Sequence, residues 1–289
     1  MLRKSVASLG LCLLVSAFAA AQAPSTAAPV TGSMIDQYFG DWHNAPERTT
    51  HGSLHERDIF TPGNAANPPK KSAVLRHLES YTYATLAPGA STTPTRLASA
   101  QEVYYFVGGS GSITAGGASH SVARNIAVLV PANLEYTLKS TGSTPLQAYL
   151  VREPIPAGFR PNADLLIRDE NSIPITSTDG LWVHIVKTLF TTADGLGTLE
   201  SVLVVAIDPL TMGKPHVHNV DLDETEEIWQ SLSGTSLAFV GNRLIRQTPG
   251  MAFYHIPIGK TPHTNINYSQ TEQDRFLYIA RYHDHEDRK

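Results

Sequence analysis

The same series of signals runs through this chain twice. Tyr83-Ala84-Thr85-Leu86-Ala87-Pro88-Gly89 leads into Thr93-Pro94-Thr95-Arg96-Leu97. Val204-Val205-Ala206-Ile207-Asp208-Pro209-Leu210 leads into Lys214-Pro215-His216-Val217-His218. Glu102 is followed seven residues later by Gly109, and Glu227 seven later by Gly234. Val130-Pro131 in the first series answers Ile256-Pro257 in the second. An internal duplication outranks any single motif, because each copy must be one structural unit with its own hydrophobic pattern. Two similar domains of roughly 85–100 residues each are the expectation.

Both copies are written in strands. Tyr81 to Leu86 and Glu102 to Val107 are β-branched and aromatic, and glycine-rich turns such as Gly108-Gly109 and Gly116-Gly117 separate the apolar runs. Helical periodicity is nearly absent. The fold class expected is therefore all-β, with a barrel at 72–153, a Pro- and Asp-containing linker at 154–180, a second barrel at 181–282 and a polar tail at 283–289. Before the first barrel, 22–71 is rich in Pro, Thr, Ala, Asn and Gly and reads as an extended arm. Its histidines, His43, His51 and His55, are expected at the surface. His283 and His285 repeat a His-x-His pair, but no barrel motif surrounds them.

The first 21 residues have the layout of a cleaved export signal. Arg3 and Lys4 precede an apolar run from Val6 to Phe18, and Ala19-Ala20-Ala21 precede the expected cleavage point. The only cysteine, Cys12, lies inside this segment, so the mature chain is expected to have no disulfide. Secretion or a periplasmic location follows, with no membrane association after cleavage. Net charge is -4, which offers no basic field for nucleic acid.

The second copy carries the chemistry. His216 and His218 are one residue apart, and alternate side chains on a strand face the same way. Glu227 heads a later strand, and His263 follows the Pro257-Ile258-Gly259 turn. Three imidazoles and a carboxylate suit one divalent transition metal, and Fe, Mn, Zn, Ni, Co and Cu are not distinguished by such ligands. Neither a Gly-x-Ser-x-Gly elbow nor a cysteine nucleophile is present in the mature chain.

These residues resemble the cupin superfamily. Gly213, His216, His218, Glu227 and Gly234 match its first motif, and Gly250, Pro257, Gly259, His263 and Asn267 its second. The resemblance spans about Ser72 to Arg281 in two copies and implies tandem cupin barrels of the double-stranded β-helix or jelly-roll kind. It implies that His216, His218, Glu227 and His263 bind the metal. The chain departs from the pattern in two places. Eight residues, Asn219 to Glu226, separate His218 from Glu227, and one extra residue lies between Gly259 and His263. Glu224 is therefore a rival to Glu227 as carboxylate ligand. Glu224 and Glu226 are also candidates for a catalytic base, by position at the barrel mouth only. A regular strand would point Glu226 to the opposite face from Glu227.

The first copy has lost this set. Thr95 and Leu97 stand at the His-x-His positions, Tyr136 stands where the later histidine should be, and Glu102 alone remains. Such a site is not expected to bind a transition metal. Glu102 is left either to a polar ligand or to a hydrogen bond with Tyr136. His255 is expected out of register with the inward-facing positions, and Trp229, Phe253 and Tyr254 are expected in the core.

The resemblance implies a small-molecule substrate and leaves several activities open. An oxygen-dependent, dioxygenase-like oxidoreductase comes first, given the donor set and export. Metal-dependent isomerisation, decarboxylation or hydrolysis is the alternative, and a non-catalytic small-molecule or sugar-binding cupin is another. Cupins often dimerise through swapped arms, which leaves a homodimer open for 22–71.

Overall fold

The computed structural model describes residues 28–176, 184–217, 225–257 and 260–281. Four sheets, antiparallel except where Ala73–Leu75 joins in parallel, form two barrels, each made of a large and a small sheet. In the first barrel the large sheet runs in the order Leu166–Asp169, Ile126–Val130, Ala100–Gly108, Leu146–Pro154, Ser80–Leu86, Leu54–Pro62 and Glu47–Thr50. Ala73–Leu75 pairs beside Leu54–Pro62. In the second barrel the order is Phe39–Asp41, Met251–Tyr254, Glu226–Ser233, Asp274–Arg281, Ser201–Ile207 and His184–Thr191. The six strands of the second sheet match the first six of the first in order, and Glu47–Thr50 and Ala73–Leu75 are additions to the first. The small sheets match as well. Tyr136–Ser140, Ser110–Ala115 and Ala118–Ala123 correspond to His263–Asn267, Ser236–Val240 and Arg243–Gln247.

The arm and linker are drawn differently by the structure. Phe39–Asp41 precedes the first barrel but pairs with Met251–Tyr254 of the second. Leu166–Asp169 precedes the second barrel but pairs with Ile126–Val130 of the first. Each barrel thus receives its edge strand from the segment that leads into the other. Glu47–Thr50 and Leu54–Pro62, also in the expected arm, are full members of the first barrel. Strands of three or four residues between prolines and glycines show too few alternations to be recognised by periodicity. The exchange occurs within one chain.

The cores explain the texture of the strands. Tyr104, Phe106, Val128, Val130 and Leu150 fill the first barrel. On the opposite face of the same strands, Tyr81, Tyr105, Tyr149 and Val151 pack into a continuous cluster with Trp229, Phe253, Ile228 and Ile279 of the second barrel. Both faces of the central strands are buried, so Val103 to Val107 within Ala100–Gly108 reads as a continuous apolar run. Burying each large side chain contributes about 1.5–3 kcal/mol, so shared packing binds the barrels together. Gly109 and Gly234 occupy equivalent turns at φ 72° and 84°. A Cβ there would lie 2.2 Å from Pro145 O and 2.6 Å from Gln273 O respectively. The turn therefore demands glycine in both copies.

Polar clasps close the same interface. Glu226 in the second barrel accepts the backbone N–H groups of Arg76 (3.0 Å) and His77 (2.7 Å) in the first. Glu153 in the first barrel accepts those of Gly197, Thr198 and Leu199 in the second, at 3.1, 3.0 and 2.6 Å. The two gripped loops precede equivalent strands. Arg275 binds both oxygens of Glu170 at 2.6 and 2.7 Å, a third tie across the interface. Among the described residues, no helix is long and apolar enough to cross a membrane.

Candidate metal centre and its degenerate twin

The duplication places the two sites in one frame. His216 and His263 form an isolated antiparallel bridge, with N–H to C=O distances of 3.2 and 3.0 Å; Thr95 and Tyr136 form the matching bridge at 2.9 and 3.0 Å. Glu227 and Glu102 head equivalent strands and face the barrel interiors.

In the second barrel, Glu227 and His263 are buried and His216 is half-buried. The His216 and His263 rings lie 4.4 Å apart, centroid to centroid. His263 Nε2 is 3.7 Å from Glu227 Oε1. The Trp229 indole N–H donates to Glu227 Oε1, and Lys214 O lies 2.9 Å from His216 Nδ1. Trp229 stacks on Phe276 at 4.7 Å, giving the site an apolar wall. His218, Glu224 and Gly259 lie outside the described residues, as do His283 and His285. Among the described residues, no three His, Cys, Asp or Glu side chains converge closely enough to hold a metal. His263 does lie beside His216 on one side and Glu227 on the other. As donors they fit a borderline divalent ion, to which Glu227 would have to turn from Trp229.

Glu226 occupies the other face. Its carboxylate is spent on the clasp to Arg76 and His77, away from the barrel mouth, which corrects its reading as a mouth-side base. Burial pushes its pKa up to about 7, against the opposing effect of the backbone N–H bonds. His255 corrects a second expectation. It is 4% exposed and its ring lies 4.7 Å from that of His263, inside the cluster.

The first barrel closes the same space with its own charges. Arg152 stands opposite Glu102 across the neighbouring strand and reaches Glu102 Oε1 from Nη2 at 2.6 Å and from Nε at 3.1 Å. Tyr136 Oη donates to Glu102 Oε2 and lies 2.7 Å from Tyr104 Oη. His51 Nε2 sits 3.3 Å from Glu102 Oε1, with its side chain only 4% exposed. Its place inside the barrel corrects the surface reading, whereas His43 and His55 do lie at the surface. Only the sharp turn at His51-Gly52 could have hinted at this, and neither residue signals a fold partner by type. Arg48 and Arg152 flank the second buried carboxylate, Glu56, at 2.7 and 3.7 Å. Burial pushes the Glu102 carboxyl up, but the His51 hydrogen bond and the Arg152 charge outweigh it and hold it below the ordinary value. Leu97, Glu102, Leu134 and Tyr136 leave no room between them for a water-sized sphere. Glu102 thus makes the expected hydrogen bond to Tyr136, together with contacts to Arg152 and His51.

At the register position of Arg152, the second barrel has Ala280, opposite Glu227. The cation that the first barrel carries on its own strand is replaced there by a methyl group.

No family model and no curated protein matches this sequence. Solved structures do match. A glyoxylate-induced protein of Pseudomonas aeruginosa superposes with a TM-score of 0.65 at 15% identity, covering 81% of this chain and 84% of that one. Protein Ylba of E. coli gives 0.65 at 13% identity, with 89% and 93% covered. A mutant oxalate decarboxylase of Bacillus subtilis gives 0.61 at 12% identity, with 89% and 79% covered. This chain has the cupin fold. Its two barrels are tandem cupin barrels, and the oxalate decarboxylase that shares this cupin architecture is described as having Mn(II) centres.

Proposed function

We propose that this cupin is a metal-dependent enzyme acting on a small molecule, with its active site in the second barrel. The observation that carries the reading is the contrast at one register position. Glu102 faces Arg152, whereas Glu227 faces Ala280 beside His216 and His263. The first barrel builds a cation beside its glutamate, whereas the second sets imidazoles there, donors that suit a divalent ion. His216, His263 and Glu227, joined by His218, would hold one divalent transition metal, which would act as a Lewis acid or bind dioxygen.

The chain's own groups supply the rest. The Trp229–Phe276 stack and Phe253 exclude water from one side of the site, and the Trp229 N–H orients Glu227. Oxygen-dependent oxidation is our first choice of reaction, ahead of isomerisation, decarboxylation or hydrolysis, because an N3O set and export to an oxic compartment suit it. The oxalate decarboxylases among the structural neighbours favour decarboxylation of a small carboxylic acid as the second reading. Export through the N-terminal segment belongs to the same proposal.

Elemental analysis of wild type and of the His216→Ala/His263→Ala double variant tests the site. One first-row transition metal per wild-type chain, absent from the variant, supports it. Equal metal in both, after reconstitution, overturns it and leaves a binding protein. Substrate screens run with and without dioxygen then separate the oxidase from the other reactions.

A further inference from the structure

We propose that His255 is a working member of the second-barrel site, a positioning residue that fixes His263 and Glu227 for the metal. The proposal rests on the metal reading above and extends it to a residue outside the cupin motifs.

The sequence match of Val130-Pro131 with Ile256-Pro257 pairs His255 with the outward-facing Leu129. The strand register says otherwise. Trp229 stands opposite Phe253, as Tyr104 stands opposite Val128. The next inward position in the first barrel is Val130, opposite Glu102. In the second it is His255, whose N–H donates to Glu227 O at 2.8 Å. Six residues separate Gly250 from Pro257, whereas five separate Asn125 from Pro131. Asn125 and Gly250 both turn with positive φ, at 69° and 99°, so the extra residue falls after His255 and the imidazole stays on the inner face.

The surroundings are those of a supporting group. The His255 ring is tilted 53° to His263 at 4.7 Å, and Phe253 meets His263 at 5.9 Å from the same strand. Together they limit the rotation of the His263 ring. The main-chain link from His255 to Glu227 ties that wall to the carboxylate's strand. The duplication supplies an internal control: where the ligand histidines have become Thr95 and Tyr136, this position is Val130, an apolar residue in the barrel core. The imidazole accompanies the retained donors. Groups that orient metal ligands are typically worth about 10–100-fold in metal affinity.

The test is Co(II) titration of wild type and His255→Val, followed by visible absorbance. We expect the variant to bind about 10–100-fold more weakly and to show shifted d–d bands, because His263 is no longer held at one angle. A folded His255→Val protein with wild-type affinity and spectrum overturns the proposal while leaving the metal reading intact. Wild type that binds no cobalt removes both. Valine occupies the equivalent core position in the first barrel; should it fail to fold here, His255→Gln takes the same titration, with the same outcomes.

Discussion

In the first barrel, Glu102 faces a guanidinium at hydrogen-bond distance; in the second, Glu227 faces Ala280 at the same register. Both carboxylates are buried and both need compensation. One barrel carries the positive charge on its own backbone, with Tyr136 and His51 completing the shell. The other has a methyl group at that register, with His263 beside the carboxylate and His216 beside His263. The two barrels thus differ by more than their histidines: where the second has Ala280, the first has an internal cation that holds its buried glutamate.

Breaking the first barrel's compensation should have the largest effect. Arg152→Ala leaves Glu102 buried without its main counter-charge and should cost about 3–5 kcal/mol, read as a lowered denaturant midpoint. The Arg152→Met/Glu102→Gln pair should recover most of that loss. Recovery that fails would mean the network's packing, not its charge, is what matters.

Carrying the cation across is the reverse experiment. Ala280→Arg should pair with Glu227 and weaken metal binding by about 100-fold, the upper end of what disturbing a site's surroundings costs. Metal content of the purified variant checks it, and undiminished metal would break the comparison.

Glu226 sharpens the contrast between the two faces of one strand. Its folded pKa of about 7 lies above the unfolded value of 4.5, so the fold binds the proton more tightly. Stability should fall as pH rises from 4.5 through 7 and stay level above. Glu226→Gln should gain on the order of 2–3 kcal/mol at pH 8 and nothing at pH 4, in paired unfolding curves. A pH-independent difference would rule out this ionisation cost.

The smallest effect expected is that of Tyr136→Phe. It removes the hydrogen bonds of the Tyr136 hydroxyl to Glu102, which keeps Arg152, and to Tyr104, and should cost about 1.5–3 kcal/mol at most, measured by thermal unfolding.

Much of this was legible in the residues. The paired Glu–Gly spacings and the repeated strand texture mark two copies of one all-β unit, because turn glycines and buried strands have strict chemical requirements. Thr95 against His216 and Tyr136 against His263 could be aligned by order alone. The arm and linker could not be read, since Phe39–Asp41 and Leu166–Asp169 are defined by pairing partners more than 200 residues away in one case and by a short edge in the other. His51 was hidden for the same reason: its contact with Glu102 spans 51 positions. Arg152 carries no signal of its own, because a lone arginine in a strand belongs to no motif. His255 was misplaced by one residue, which on a strand is a change of face.

The exchange of edge strands also carries a history. If two identical single barrels each lend their leading strand to the other, joining them end to end yields the pairing found here, with Phe39–Asp41 on the second barrel and Leu166–Asp169 on the first. The molecule has the form of a dimer whose subunits have become one gene product. In a homodimer any change strikes both sites at once. After fusion, one half could place an arginine beside its glutamate while the other kept its histidines, and the contact surface between them lost nothing.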